Sequence, residues 1–296
     1  MSPGISIYII VLTLLNIVGA VALLWWTRRP HGEGGKPGGE TTGHVWDGDL
    51  REFNHPLPRW WLWLFLISVA FAIGYMILYP GLGNFAGRLG WTSAGQYAEQ
   101  AAAAEKLAQQ ALAKFDGRSI EELVKDPAAL AVGRNLFANN CAVCHGSDGR
   151  GALHFPNLAD HDWKWGGDPA TVEASIASGR TGVMAPWKDV LGAAGVDDAV
   201  AYVLSLSNRK ATSGNAAHGK ELFTTYCMVC HGESGQGNAA LGAPNLSDNI
   251  WLHGGAPEQI RDTVMNGRIG SMPAQQERLG AARVRLLAAY VLGLGE

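Results

Sequence analysis

The stretches CAVCHGSDGRG (residues 141–151) and CMVCHGESGQG (residues 227–237) hold all four cysteines of the 296-residue chain. Each is a C-x-x-C-H string, so none is left over for a structural bridge elsewhere. Two thiols spaced in this way can add to the two vinyl groups of one haem, and the adjacent His145 or His231 then reaches the iron from the same side. Zinc held by the two Cys pairs would make one site from both strings and leave the rest of their similarity without a role. A thioredoxin-like redox pair would need a βαβ context that the surrounding sequence lacks.

The similarity extends well beyond the cysteines. AVGRNLFANNCAVCHG lies over AHGKELFTTYCMVCHG at an offset of 86 residues and, after a two-residue insertion in the second copy, FPNLADHDW lies over APNLSDNIW, SGRTGVMAP over NGRIGSMPA, and DDAVAYVLSL over RLLAAYVLGL. The chain therefore carries a duplicated unit of about 80 residues, a size at which a hydrophobic core alone is marginal and a covalent staple is expected. Each copy reads as a helix leading into the cysteines, a Gly- and Pro-rich loop, a helix ending at a Gly-Arg pair, and a closing helix whose apolar residues recur at helical spacing. No segment shows strand alternation, so the soluble part is expected to be all-α.

Of six methionines, only Met184 and Met272 occupy equivalent positions, 39 and 41 residues after His145 and His231. A thioether on the far side of a haem iron closes the coordination sphere and raises the potential. The alternative role of either methionine is core filler. Proline follows Met272 directly, but Met184 only after Ala185. His154, His161, His218 and His253 are not repeated in register and read as surface residues or as neighbours of the ligands. His31, His44 and His55 read as solvated loop residues. Asn157 and Asn245 of the repeated PNL suit a turn, with a bond near the haem as the rival role. Arg180 and Arg268 suit either a haem propionate or the end of the preceding helix.

Only 17% of residues are charged, which is low for a wholly soluble protein. Residues 5–26 and 60–79 explain this as two uncharged apolar runs of 22 and 20 residues, each long enough to cross a bilayer core as a helix. Trp25 and Trp26 close the first run, while Trp60, Trp61 and Trp63 open the second, as expected at one membrane face. Arg28, Arg29, Lys36, Arg51 and Arg59 lie between the runs, which places that loop in the cytoplasm and both chain ends outside. A cleaved signal peptide is the rival reading of the first run, but no positive charge precedes it and Arg28 and Arg29 follow it like a stop. The net charge of −3 gives no basic field for nucleic acid.

Together these features resemble the dihaem cytochrome c subunit of cbb3-type cytochrome c oxidases, the subunit III or CcoP/FixP family. The most specific stretches are VWDGDLREFNHPLPRWW, YPGLGNFAG, LFANNCAVCHG, FPNLADHDWKWGGD, CMVCHG, LGAPNL and MPAQQ. The resemblance implies an all-α fold with two N-terminal transmembrane helices followed by two tandem class I cytochrome c domains. The expected divisions are helix 1–26, cytoplasmic loop 27–59, helix 60–79, helical linker 80–130, and cytochrome domains 131–210 and 211–296. It implies two covalent haems c, attached at Cys141, Cys144, Cys227 and Cys230, with His145, Met184, His231 and Met272 as axial ligands.

The implied role is non-catalytic relay of electrons from a c-type cytochrome donor, toward a monohaem subunit and a haem-copper catalytic subunit. The implied location is the bacterial inner membrane, with the cytochrome domains periplasmic. A freestanding membrane-anchored dihaem carrier is the alternative, since anchor and repeat fit it equally well. A peroxidase-like enzyme would need an open sixth position, which two repeated methionines argue against.

Overall fold

The computed structural model describes residues 1–27, 41–53 and 58–295. Arg28, Arg29, Lys36, His31 and His55 lie outside them, as does most of the Gly-rich part of the loop. The chain divides into two compact units, residues 1–109 and 110–296.

In the first unit, α1 (Pro3–Thr27) and α2 (Arg59–Leu78) are helices long and apolar enough to cross a membrane. The start of α1 meets the loop after α2: the Asn84 backbone N–H donates to Ser6 Oγ at 2.9 Å, and Asn84 Nδ2 to the Met1 carbonyl at 3.2 Å. Gly83 makes room for this, because a Cβ there would lie 2.2 Å from Ser6 Oγ. Between the helices, β1 (Thr41–Trp46) and β2 (Leu50–Phe53) form an antiparallel hairpin. Asp47 and Gly48 turn it with positive φ of 50° and 92°, the conformation for which Asp-Gly is suited. Helix α3 (Ser93–Leu112) carries the Ala- and Gln-rich stretch and contains the division between the units.

In the second unit, a short helix α4 (Ile120–Leu123) leads to α5 (Pro127–Asn140), and the first C-x-x-C-H string supplies α6 (Ala142–His145). Then follow α7 (Pro169–Ser178), β3 (Arg180–Met184), α8 (Lys188–Leu206), α9 (Ala216–Leu222), α10 (Met228–His231), α11 (Pro257–Asn266), β4 (Arg268–Met272), α12 (Gln276–Leu279) and α13 (Ala281–Leu292). The starts are set locally: Asp126, Asp168 and Asn215 cap α5, α7 and α9 through their side-chain oxygens, with proline at the first position of α5 and α7.

The described residues are mostly helical, with four short strands besides. The two copies of the repeat exchange segments in their packing. Helix α13, which closes the second copy, packs on α5 and α7 of the first, while α8, which closes the first copy, packs on α9 and α11 of the second. One core joins Leu123, Phe137, Val172 and Ile176 to Val284 and Leu287. The other joins Val196, Val200 and Leu204 to Phe223, Ile260 and Val264.

Local geometry accounts for the exchange. Only residues 207–215 separate α8 from α9, a connection suited to neighbouring helices. β3 and β4 pair antiparallel, with Arg180 opposite Met272, Gly182 opposite Gly270 and Met184 opposite Arg268. Each copy thus crosses to the other at this ribbon, where the partner strand satisfies the backbone polar groups.

Candidate haem sites

His145 and His231 are buried at the ends of α6 and α10. Each is followed by a glycine in the left-handed region, Gly146 at φ 78° and Gly232 at φ 79°, which turns the chain back over the ring. The Nδ1 of each histidine lies 3.0 Å from a proline carbonyl, Pro156 for His145 and Pro244 for His231. A carbonyl can only accept, so Nδ1 carries the proton and donates it, and Nε2 is left with its lone pair for a metal. Burial, with a smaller contribution from the Lys164 charge, holds His231 below the usual imidazole range, which favours the neutral ligand form.

The four cysteines are unbridged thiols. Burial pushes the Cys141 thiol up, and burial with the neighbouring Cys230 pushes Cys227 up to about 11. The two Cys pairs lie in different cores, Cys141 against that of Phe137 and Cys227 against that of Phe223. Among the described residues, no three His, Cys, Asp or Glu side chains converge as a metal-binding group. That geometry gives the single shared zinc site no support.

The methionines follow the exchange. Met272 packs against the core that includes Phe137 and Cys141, and Met184 against the core that includes Phe223 and Cys227. Each thus lies in the core holding the other copy's cysteines. Met265 also touches the second core, but its sulfur receives the Arg261 Nη1 at 2.9 Å. In that core, Trp251 has a buried indole N–H with no hydrogen-bond partner among the described residues. A buried unpaired donor signals a missing acceptor, and a haem propionate supplies one. With paired thiols, an oriented imidazole and a thioether in each core, the residues fit a covalent haem.

Asn157 and Asn245 fold back on their own loops, accepting from the backbone N–H of Ala159 and Ser247 at 2.9 Å, which is the turn role. Arg180 and Arg268 grip the helices that precede them: each Nε donates at 2.9 Å, to Ser175 Oγ and Thr263 Oγ1 respectively. His218 pairs with Asp198 at 2.8 Å between α9 and α8, and His44 lies on Trp46 with ring centroids 4.4 Å apart.

Sequence reasoning missed one pair. His154 and His253, from different copies, place their Nδ1 atoms 2.8 Å apart. In the repeat alignment His154 lies over Gly242 and His253 over Trp165, and those two residues also meet: a Cβ on Gly242 would lie 2.2 Å from the Trp165 ring. One structural position is therefore filled by two imidazoles in one half and by an indole over glycine in the other. The alignment contains that correspondence, but only the exchange of segments brings the residues together.

Residues 38–86 match the family described as the N-terminal domain of cytochrome oxidase-cbb3, FixP. Residues 128–203 and 214–291 each match the family described as cytochrome C oxidase, cbb3-type, subunit III. The chain is 42% identical over 297 residues to the Cbb3-type cytochrome c oxidase subunit CcoP of Rubrivivax gelatinosus, covering 100% of this chain and 96% of that protein. It is 41% identical to the subunit FixP of Azorhizobium caulinodans, covering 88% and 94%, and 40% identical to that of Bradyrhizobium diazoefficiens, covering 87% and 95%. With its repeated C-x-x-C-H unit behind two apolar helices, matched over its length by such relatives, the chain belongs to the cbb3-type cytochrome c oxidase subunit III family.

Proposed function

We propose that this chain is the membrane-anchored dihaem electron-transfer subunit of a cbb3-type terminal oxidase. The observation that carries the reading is the duplication of a whole site: Cys141, Cys144 and His145 in one core, Cys227, Cys230 and His231 in the other, each histidine tethered by a proline carbonyl. When bound, the two haems supply one-electron storage between a c-type cytochrome donor and the monohaem and haem-copper subunits of the oxidase. The protein's part is to hold them. The cysteines would hold each haem covalently, the tethered imidazoles would offer Nε2 to the iron, and the methionine thioethers would serve as its second protein ligands, a donor set that suits electron transfer rather than oxygen chemistry.

The placement of the methionines supports a crossed ligand set, His145 with Met272 and His231 with Met184, in place of the pairing within each copy that sequence order suggests. Helices α1 and α2 cross the inner membrane, the loop between them is cytoplasmic, and the cytochrome units are periplasmic. The basic residues between the helices support that orientation.

The test is purification of the tagged full chain from its native membrane. The expected result is co-purification of a haem-copper subunit and two covalent haems per chain by pyridine haemochrome. A chain that carries its haems but travels without such a subunit would be a freestanding carrier, and one haem or bound zinc would overturn the site assignment.

A further inference from the structure

The ribbon of β3 and β4 is centred on Gly182 opposite Gly270, and beside Gly182 sits one ammonium group. A Cβ on Gly182 would lie 3.1 Å from Lys164 Nζ and 3.8 Å from the Trp165 ring. Lys164 is half-buried, and no hydrogen-bond or ion-pair partner is found for it among the described residues. Burial alone holds its ammonium below the usual lysine range.

The second copy has no such charge. Trp163-Lys164-Trp165-Gly166-Gly167 aligns with Trp251-Leu252-His253-Gly254-Gly255, so the counterpart of Lys164 is the apolar Leu252. Lys164 is thus a single cation in an otherwise duplicated arrangement. It also lies toward one site: its neighbour Trp165 covers Gly242, two residues before the Pro244 whose carbonyl receives His231 Nδ1.

A half-buried ammonium without an acceptor is costly, and an anion brought beside it offsets that cost. The anions a haem brings into this interior are its propionates. We propose that Lys164 is the counter-charge for a propionate of the haem held by Cys227, Cys230 and His231, and that it sets the reduction potentials of the two haems apart. The inference rests on the dihaem reading. A fixed positive charge favours the iron state carrying one charge fewer, so Lys164 raises the potential of the haem it faces.

The experiment is potentiometric titration of the purified full chain, followed by haem absorbance, for the native protein and for Lys164→Met, Lys164→Gln and Lys164→Arg. Haem content and the far-red sulfur-to-iron band are recorded for each variant, because two haems with intact bands show that the dihaem reading stands whatever the potentials do. The expected result is a downward shift of one midpoint relative to the other in the two neutral variants, with native midpoints in Lys164→Arg; an equal shift of both would overturn the assignment to one haem. Unchanged midpoints in a neutral variant that retains both haems and both bands would overturn the proposal. Should Lys164→Met fail to load haem, the smaller change to Gln decides the matter in the same way. An equal fall in Lys164→Arg would also overturn it, since that would place the effect in packing rather than in charge.

Discussion

Phe137 and Tyr290 stand with ring centroids 5.3 Å apart, although they belong to different copies of the repeat. Phe223 and Tyr202 repeat the contact at 5.2 Å in the opposite sense. In each case the helix entering a C-x-x-C-H string crosses the closing helix of the other copy. The consequence is that neither copy packs its own closing helix against the helix that leads into its cysteines. The core around Phe223 is built from one continuous stretch, from α8 to α11, whereas the core around Phe137 is closed by residues from both ends of the repeat region.

These crossings are close enough to leave no room for a methyl group. A Cβ on Gly133 would lie 2.6 Å from the Leu286 carbonyl oxygen and from Tyr290 Cβ, and one on Gly219 would lie 1.9 Å from the Asp198 carbonyl oxygen. Alanine favours a helix by about 1 kcal/mol over glycine, but overpacking against backbone costs about 1–3 kcal/mol and exceeds that gain. Gly133→Ala and Gly219→Ala should therefore both destabilise the full chain in chemical denaturation, Gly219→Ala more strongly. An alanine that stabilised either position would show that the helices cross elsewhere.

Crossed ligation makes a prediction that pairing within each copy does not share. On the proposed assignment, a chain with Cys227→Ala and Cys230→Ala keeps one haem, at Cys141 and Cys144. Met272 packs in that core and Met184 does not. Replacing Met272 by Ala in this background should abolish the far-red sulfur-to-iron band, while Met184→Ala should leave it intact. The reverse pattern would restore pairing within each copy. The measurement is a single absorbance spectrum of each oxidised protein.

Much of this architecture was legible in the sequence. Uninterrupted apolar runs predict α1 and α2, and the 86-residue offset predicts the duplication. The exchange was not legible, because equivalent helices offer equivalent surfaces: Tyr202 and Tyr290 occupy the same place in the repeat, so either can meet Phe137. Only the short connection between α8 and α9 hints at which neighbour each takes. The strands were missed for a related reason. Arg180–Met184 and Arg268–Met272 have five residues each with glycine at the centre, and each finds its partner only in the other copy. Asp47-Gly48 is a recognisable hairpin signal, but the runs flanking it are short.

The membrane arrangement is tested by its asymmetry. The start of α1 and the loop after α2 are joined through Ser6 and Asn84, so the segment between the helices should emerge on the opposite face. A reporter active only outside the cytoplasm should be silent when fused within residues 41–53 and active when fused after residue 110. Activity at the first position would reverse the orientation inferred from the basic residues. Ser6→Ala removes the hydroxyl that receives the Asn84 N–H and should cost about 1 kcal/mol, read as a lower thermal midpoint of the detergent-solubilised chain.

The imidazole pair gives the last prediction its sign. His253 is pushed down to about 4, first by burial and then by the charges of Arg268, His154 and Lys164. A His154–His253 contact at 2.8 Å needs one Nδ1 to donate and the other to accept, so protonation of both Nδ1 atoms breaks it. The folded chain therefore binds fewer protons here than the unfolded chain, whose histidine titrates near 6.5. The contribution of the pair is present in full above that value and is lost as pH falls toward about 4. The lowered carboxylates Asp126, Asp168, Asp198 and Asp262 act in a separate window, below their ordinary value of 3.8. The double variant His154→Gly with His253→Trp reproduces the Gly242 and Trp165 arrangement of the other half and removes both imidazoles. Denaturation midpoints of the haem-loaded chain between pH 7.5 and 4.5, a range of about 3 units around the histidine window, should fall with acid in the native protein and less steeply in the double variant. Parallel curves would show that the pair holds the two copies together without sensing protons.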